Sequence, residues 1–184
     1  MRKIIVYIAT SADGFIARKD GAVDWLDRPR PKGNYGMGDF FKSNDTILLG
    51  RKTYDIFLRF LKEGKAAPDV GVIKHYVFST RAAPKKVAEG FEFVTEPIKK
   101  FARRLRPKKG KGIWMMGGGG IIASFLDAGE IDEFIIHVIP ILIGEGIPLI
   151  APRHRTVPLK LLSSRKFSDG VVRLHYAVKA KSSA

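Results

Sequence analysis

The stretch GIWMMGGGGIIASFLDAG, residues 112–129, contains one complete unit of the predicted fold. The apolar run from Gly112 to Met116 predicts a buried strand, and Ile121–Ala128 predicts a helix that ends at Gly129. Four consecutive glycines, Gly117 to Gly120, connect the strand and the helix. Because glycines lose much conformational entropy on folding, a plain connection would be better made from other residues. We therefore predict that these glycines let a ligand approach the backbone.

The alternation of strand and helix also occurs on the N-terminal side of this unit. Short apolar runs predict strands at Lys3–Ala9, Thr46–Leu49, His75–Ser79 and Glu92–Thr95. Helices are predicted at Arg51–Leu61 and from Pro97 to about Arg106, with at best a short helix at Gly38–Ser43. Two Asp-Gly pairs predict that Thr10–Pro31 is a loop.

The C-terminal third has a different pattern. Glu133–Ile143 resembles a long strand interrupted by Pro140. Leu159–Phe167 and Val171–Lys179 flank the turn signal Ser168-Asp169-Gly170, which predicts a β-hairpin.

Together these elements predict an α/β fold. We expect a three-layer arrangement, in which a mainly parallel central sheet has helices on both faces and a C-terminal antiparallel hairpin. We expect residues 1–180 to form a single domain and residues 181–184 to be a frayed tail.

Composition excludes several kinds of site. The chain has 184 residues and no cysteine, so disulfides, thiolate metal sites and a cysteine nucleophile are excluded. The four histidines lack ligand spacing, and we predict no metal site. The apolar run near the N-terminus is too short for a signal peptide, and no segment has the length of a membrane span. We therefore expect a cytoplasmic protein without a membrane partner.

The net charge of +15 has two interpretations. Basic residues concentrate between Lys99 and Lys111, which raises the possibility of a nucleic-acid-binding protein. This cluster contains no interleaved aromatic residues and no nucleic-acid-binding motif. The sequence therefore favours a solvated basic surface over a nucleic-acid partner.

Three predicted strand ends carry groups that suit an anion. Gly50–Thr53 combines a glycine turn with two cations and a hydroxyl, and Ser79–Arg81 combines two hydroxyls with an arginine. Gly117–Gly120 is the third of these turns. Because ligands of open α/β sheets bind at the carboxyl ends of the strands, we expect the three turns to form one site. Two basic turns suit a dinucleotide with an extra phosphate, which favours NADPH over NADH.

The same pieces, taken in order, resemble the dihydrofolate-reductase-like superfamily. Within this superfamily they resemble specifically the branch related to the C-terminal reductase domain of bifunctional riboflavin-biosynthesis deaminase-reductases. The matching segments span nearly the whole chain and are residues 9–17, 48–54, 79–81, 116–120 and 140–149.

The resemblance implies an NADPH-dependent reductase that is often a homodimer. It implies that Ile8 and Ala9 line the nicotinamide, under a mobile loop formed by Asp13–Ala17 that includes Gly14, Ile16 and Ala17. It also implies an unusual Gly117–Gly118 peptide. The phosphates and adenosine would be held by Gly50, Arg51, Lys52, Thr53, Ser79, Thr80, Arg81, Met116, Gly117, Gly118, Gly119 and Gly120.

The substrate is expected to be a small heterocyclic or sugar-derived molecule, resembling that of 5-amino-6-(5-phosphoribosylamino)uracil reductase or of a dihydrofolate reductase. Asp13 and Glu145 are the acidic candidates for substrate binding or proton delivery. Tyr7, Trp25 and Phe41 are expected on the substrate side.

Two departures from the family pattern bear on the substrate. Asp39 falls about half a helical turn from the acidic residue of folate reductases, and Tyr7 replaces the lysine of the riboflavin branch. An alternative function for the same fold is that of a non-catalytic NADP(H)-binding protein.

Overall fold

The computed structural model describes residues 1–62 and 73–179, apart from the side chain of Leu61. Its strands are β1 Ile4–Ser11, β2 Phe15–Ala17, β3 Asn44–Gly50, β4 Lys74–Phe78, β5 Phe91–Val94, β6 Gly112–Gly117, β7 Glu133–Ile139, β8 Ile147–Pro148, β9 Leu159–Lys166 and β10 Val172–Val178. Its helices are α1 Met37–Lys42, α2 Arg51–Lys62, α3 Ile98–Leu105 and α4 Gly119–Asp127, with 3₁₀ turns at Asp24–Leu26 and Asn34–Gly36.

Eight strands form one sheet in the order β5-β4-β3-β6-β1-β7-β10-β9. The six strands from β5 to β7 are mutually parallel, because each returns through a crossover connection. β10 is antiparallel to β7, and β9 is antiparallel to β10. The predicted parallel sheet with a C-terminal hairpin is confirmed.

The core has two sides because successive side chains of a strand point to opposite faces. On one face Val6 packs in a cluster with Phe101 of α3 and Phe125 of α4. On the other face Tyr7 packs in a cluster with Phe40 of α1 and Tyr54 of α2. Helices therefore cover both faces, as predicted.

Two sequence predictions need correction. The strand predicted over Glu133–Ile143 ends at Ile139, because Pro140 has no N–H to donate to a neighbouring strand. The loop predicted at Thr10–Pro31 contains β2, which pairs antiparallel with β8 in a separate small sheet. These strands have three and two residues, which is too short for a pattern of alternation to show.

The other helices and strands match their predictions to within one or two residues, a usual uncertainty at element ends. The C-terminal tail lies outside the described residues, and the single-domain assignment stays a prediction. Within the described ranges, no helix combines the length and apolar character needed to cross a membrane.

Candidate functional site

The three anion-binding turns predicted from the sequence lie side by side. In the sheet, Gly50 is level with Phe78, and Leu49 is level with Gly117. β4, β3 and β6 are consecutive in the sheet, and neighbouring strands are about 4.8 Å apart, so the turns fall within roughly 10 Å of one another. They occupy the carboxyl edge of the parallel strands, where open α/β sheets bind ligands.

A cavity of about 470 Å³ connects these turns. Its walls include Gly50 at the end of β3, Ser79 and Thr80 after β4, and Gly120 in the first turn of α4. Residues from all three predicted turns therefore line one space.

The four glycines Gly117 to Gly120 are needed for different structural reasons. Gly117 has a φ of +111°, which other residues rarely adopt, and the Gly117–Gly118 peptide is cis, as the resemblance implied. At Gly119 a Cβ would lie 2.3 Å from the backbone oxygen of Pro148. At Gly120 a Cβ would meet no atom within 4 Å. Packing therefore accounts for Gly119, and Gly120 leaves open space on the cavity side.

A second group of predicted cofactor residues meets at Gly117 and Gly118. A Cβ on Gly118 would lie 3.5 Å from Oγ1 of Thr53 and 3.9 Å from Cδ1 of Ile16. A Cβ on Gly117 would lie 3.7 Å from Cδ1 of Ile8. The predicted nicotinamide residues thus adjoin the predicted phosphate residues, so a single extended nucleotide could contact both groups.

The predicted phosphate cations lie at the surface. Arg51 forms an ion pair with Asp55 at 3.0 Å, and its guanidinium lies 5.5 Å from the centre of the Phe93 ring. Lys52 and Arg81 are exposed. Oγ of Ser79 accepts a hydrogen bond from the backbone N–H of Arg81, which orders the start of this turn. Their charge and hydroxyl groups fit a phosphorylated nucleotide, since arginine and helix N-termini both bind phosphate.

The two acidic candidates, Asp13 and Glu145, lie in adjoining loops and both are exposed. The Asp13 carboxylate accepts backbone N–H groups of Ile143 at 3.2 Å and Gly144 at 2.7 Å. A hydrogen bond from Ser11, aided by these N–H groups, lowers the pKa of Asp13. Glu145 forms an ion pair with Lys19. These contacts favour loop-bridging roles, and proton delivery by either residue stays a prediction.

The predicted mobile loop is tied to the opposite loop at several points. Ala17 pairs with Ile147 through the small sheet, and the Gly14 carbonyl accepts a hydrogen bond from the N–H of Leu149 at 3.1 Å.

Met116, also predicted to contact the cofactor, is partly buried against the α1–α2 side of the sheet.

Of the predicted substrate residues, Tyr7 and Phe41 lie on the α1 side of the sheet. Tyr7 stacks on Phe40 with ring centres 4.1 Å apart, whereas Phe41 packs on Trp114. Trp25 is buried in a separate cluster with Tyr35. Asp39 is exposed.

Sequence reasoning missed the residues that surround Tyr7. His137 carries no sequence motif, but its ring centre lies 4.9 Å from that of Tyr7, and both side chains are buried. Burial, together with the charge of Arg173, lowers the pKa of His137 to about 4. Burial also raises the pKa of Tyr7 to about 12. The feature of the sequence that could have identified this residue is a histidine at an inward-facing position of the apolar strand β7.

The basic cluster at residues 99–111 is partly used within the fold. Arg104 is paired with Glu96, and the buried Arg106 is paired with Glu130 and Asp132. Clefts of about 660 and 610 Å³ at the opposite edge of the sheet are lined by Lys108 and Lys109, away from the glycine turns. Across residues 1–62 and 73–179, no group of three or more potential metal ligands occurs.

Comparison with known proteins gives close relatives of similar length. YwjB of Bacillus subtilis (strain 168) is 38% identical over 175 residues, which cover 95% of this chain and 97% of YwjB. YyaP of the same organism is 34% identical, with coverage of 95% and 94%. Both are named as uncharacterized proteins.

Solved structures show the same fold. A crystal structure from Shewanella sp. PV-4, named provisionally for riboflavin biosynthesis, has a TM-score of 0.82 and 28% identity, and the match covers 97% of this chain and 99% of that chain. A deaminase/5-amino-6-(5-phosphoribosylamino)uracil reductase of Thermotoga maritima has a TM-score of 0.69 at 15% identity. That match covers 97% of this chain and 57% of the Thermotoga chain.

The family match covers almost the whole chain. Residues 2–173 match the RibD C-terminal domain. This agrees with the sheet order, the hairpin and the glycine-lined carboxyl edge described above. The chain belongs to the RibD C-terminal domain family, a family of reductases with a dihydrofolate-reductase-like fold.

Proposed function

We propose that this chain is an NADPH-dependent reductase that acts on a small heterocyclic or sugar-derived substrate. The observation that carries the proposal is the convergence of Gly50, Ser79, Thr80 and Gly120 on one cavity at the carboxyl edge of the sheet. A glycine-rich helix start beside basic turns suits a phosphorylated dinucleotide. Bound NADPH would supply a hydride for a C=N or C=O bond.

The residues of the chain would bind and orient both molecules. The pyrophosphate would lie along Gly117–Gly120, with Thr53 beside it, and Arg51 would bind the 2′-phosphate. Ile8 and Ala9 would place the nicotinamide at the end of β1, next to the face that carries Tyr7. The buried rings around Tyr7 would keep water from the reacting atoms.

A thermal-shift titration with NADPH, NADH and no ligand tests this proposal. NADPH should raise the melting temperature more than NADH at equal concentration, because the ligand with the lower dissociation constant adds more binding free energy to the folded state. Arg51→Ala should weaken NADPH more than NADH, and Arg59→Ala is a control on the same helix. Equal loss for both nucleotides would show that Arg51 does not bind the 2′-phosphate.

The alternative of a non-catalytic nucleotide-binding protein makes a different prediction. In that case NADPH binds, but no reducible substrate causes its oxidation. Absorbance at the reduced-nicotinamide band during incubation with a substrate panel separates the two functions.

We also propose that the chain forms a homodimer through its hairpin edge. β9 is one of the two edge strands of the sheet, and its Leu159, Leu161 and Leu162 are exposed. Exposed apolar edge strands are prone to pairing with another chain. A monomeric mass by light scattering at micromolar concentration would refute this arrangement.

A further inference from the structure

The cavity at the carboxyl edge of the sheet has an apolar portion besides its glycine and hydroxyl turns. Aliphatic side chains from the end of β5, the start of α3 and the first turn of α4 line it, namely Val94, Pro97, Ile98 and Ile121. Its volume of about 470 Å³ is ordinary for a small-molecule site. Because a flat heterocycle loses contact with water when it packs on aliphatic side chains, this portion suits a nucleotide base rather than a phosphate.

The polar side chains on the cavity wall are four hydroxyls and one carboxylate, from Ser79, Thr80, Thr95, Ser124 and Glu96. The two serines already donate within the fold. Oγ of Ser79 donates to the carbonyl of Arg81 at 2.9 Å, and Oγ of Ser124 donates to the carbonyl of Gly120 at 3.1 Å. Among the described residues that line the cavity, Glu96 is the only charged one.

The Glu96 carboxylate is held in place through one of its two oxygens. Oε1 accepts hydrogen bonds from Nε of Arg104 at 3.1 Å and from Nη2 of Arg104 at 2.5 Å. The Arg104 guanidinium in turn lies 5.3 Å from the centre of the buried Phe101 ring, a favourable cation–π distance. In the described part of the chain, no hydrogen bond to Oε2 of Glu96 occurs. One carboxylate oxygen is therefore available as an acceptor.

An ionised carboxylate accepts hydrogen bonds and cannot donate them. It therefore favours a base with an exocyclic amino group, as in adenine, over a base with a carbonyl oxygen at that position. Acidic residues in other dinucleotide-binding folds bind the ribose 2′-hydroxyl, but in NADPH this position carries the phosphate. The amino group of the base is thus a better donor for Glu96 than the ribose 2′ position.

From this arrangement we infer that Glu96 is a specificity-determining residue for the cofactor. Its Oε2 accepts a hydrogen bond from the exocyclic amino group of adenine, while the base packs against Ile98 and Ile121. This inference rests on the proposed reductase function, because it requires the cavity to hold the adenosine end of NADPH. Arg104 neutralises the carboxylate, so that the nearby phosphates of the nucleotide meet a neutral pair.

Titration calorimetry of the full chain with two dinucleotides tests the inference. Reduced nicotinamide hypoxanthine dinucleotide phosphate differs from NADPH in the base, where a carbonyl oxygen replaces the amino group. We expect NADPH to bind about tenfold or more tightly, because a charge-assisted hydrogen bond is exchanged for two acceptors that face each other. Adenosine 2′,5′-bisphosphate and its inosine counterpart repeat the comparison without the nicotinamide.

Variants identify the residue. Glu96→Ala should bind the two dinucleotides about equally, and Glu96→Gln should abolish or reverse the preference, because an amide can turn its N–H groups toward a carbonyl oxygen. A merely structural role of Glu96 would weaken both dinucleotides by the same factor. Glu92→Gln is the matched control, since Glu92 is also an ion-paired residue of β5 but lines a cleft at the opposite edge of the sheet. It should keep the preference of the unaltered chain.

The outcomes separate the inference from the proposed function. If NADPH binds but its hypoxanthine counterpart binds equally well, or if Glu96→Ala keeps the preference, the inference is wrong and the reductase proposal stands. If the adenosine bisphosphate is preferred through Glu96 but NADPH does not bind, the adenine site stands and the reductase proposal fails. If none of the four nucleotides binds, both are wrong.

Discussion

Replacing Gly119 with alanine and replacing Gly120 with alanine should have opposite effects on stability, although the two residues are adjacent. A Cβ at position 119 would lie 2.3 Å from the backbone oxygen of Pro148 and 3.3 Å from that of Leu149. The segment that carries these oxygens is held in place, since the N–H of Ala151 donates to the carbonyl of Gly119 at 3.1 Å. The backbone must therefore move to admit the methyl group.

The size of each effect follows from these contacts. Overpacking of this kind costs about 1–3 kcal/mol. For a domain of this length, each kcal/mol lowers the melting temperature by roughly 2–4 °C, so Gly119→Ala should lower it by about 2–12 °C. Gly120 lies in the first turn of α4 with open space around it, and alanine there adds up to about 1 kcal/mol of helix stability.

For NADPH binding, Gly120→Ala should have the larger effect of the two substitutions. Gly120 lines the cavity that the phosphates are proposed to occupy, and a methyl group there should crowd them. The dissociation constant of Gly120→Ala for NADPH should therefore rise by about tenfold or more, which corresponds to roughly 1.4 kcal/mol. Differential scanning calorimetry and titration calorimetry on both variants measure the two quantities. If Gly120→Ala binds NADPH like the unaltered chain, the proposed position of the pyrophosphate is wrong.

Two further predictions concern the buried polar atoms beside β1. Tyr7→Phe should keep or raise the melting temperature, because it removes a buried hydroxyl whose lost hydration costs about 1–3 kcal/mol. A clear drop in the melting temperature, measured by calorimetry, would mean that the hydroxyl has a partner in solution. His137 should make the fold sensitive to acid: the unfolded chain binds a proton at this histidine below pH 6.5, whereas the folded chain does so only near pH 4. About 3 kcal/mol of stability should therefore be lost as the pH falls from 6.5 to 4, and His137→Gln should lose less in urea unfolding over that range.

The fold could be predicted largely because its signals are local. The apolar runs of β1, β3 and β6 each end in a glycine or a turn, and the Ser168-Asp169-Gly170 signal marked the hairpin. β2 and β8 could not be predicted, because each depends on a partner that is distant in sequence. The end of β7 was predictable from Pro140, whose ring removes the donor that a continuing strand needs.

The candidate site could be predicted only in part. Gly50, Ser79 and Gly120 each follow a strand, so their meeting at one edge follows from parallel topology. The roles of individual glycines could not be predicted, since Gly119 is required by Pro148, a contact across the fold. The register that places Arg173 opposite His137 also depends on long-range pairing, and neither residue carries a motif.

A crystal structure of the chain with NADPH tests the central claim most directly. We expect the pyrophosphate to lie along Gly117–Gly120, the adenosine end at Ser79 and Thr80, and the nicotinamide ring against Ile8 and Ala9. Density for the nucleotide at the clefts beside Lys108 and Lys109, with the glycine-lined cavity filled by solvent, would contradict this account.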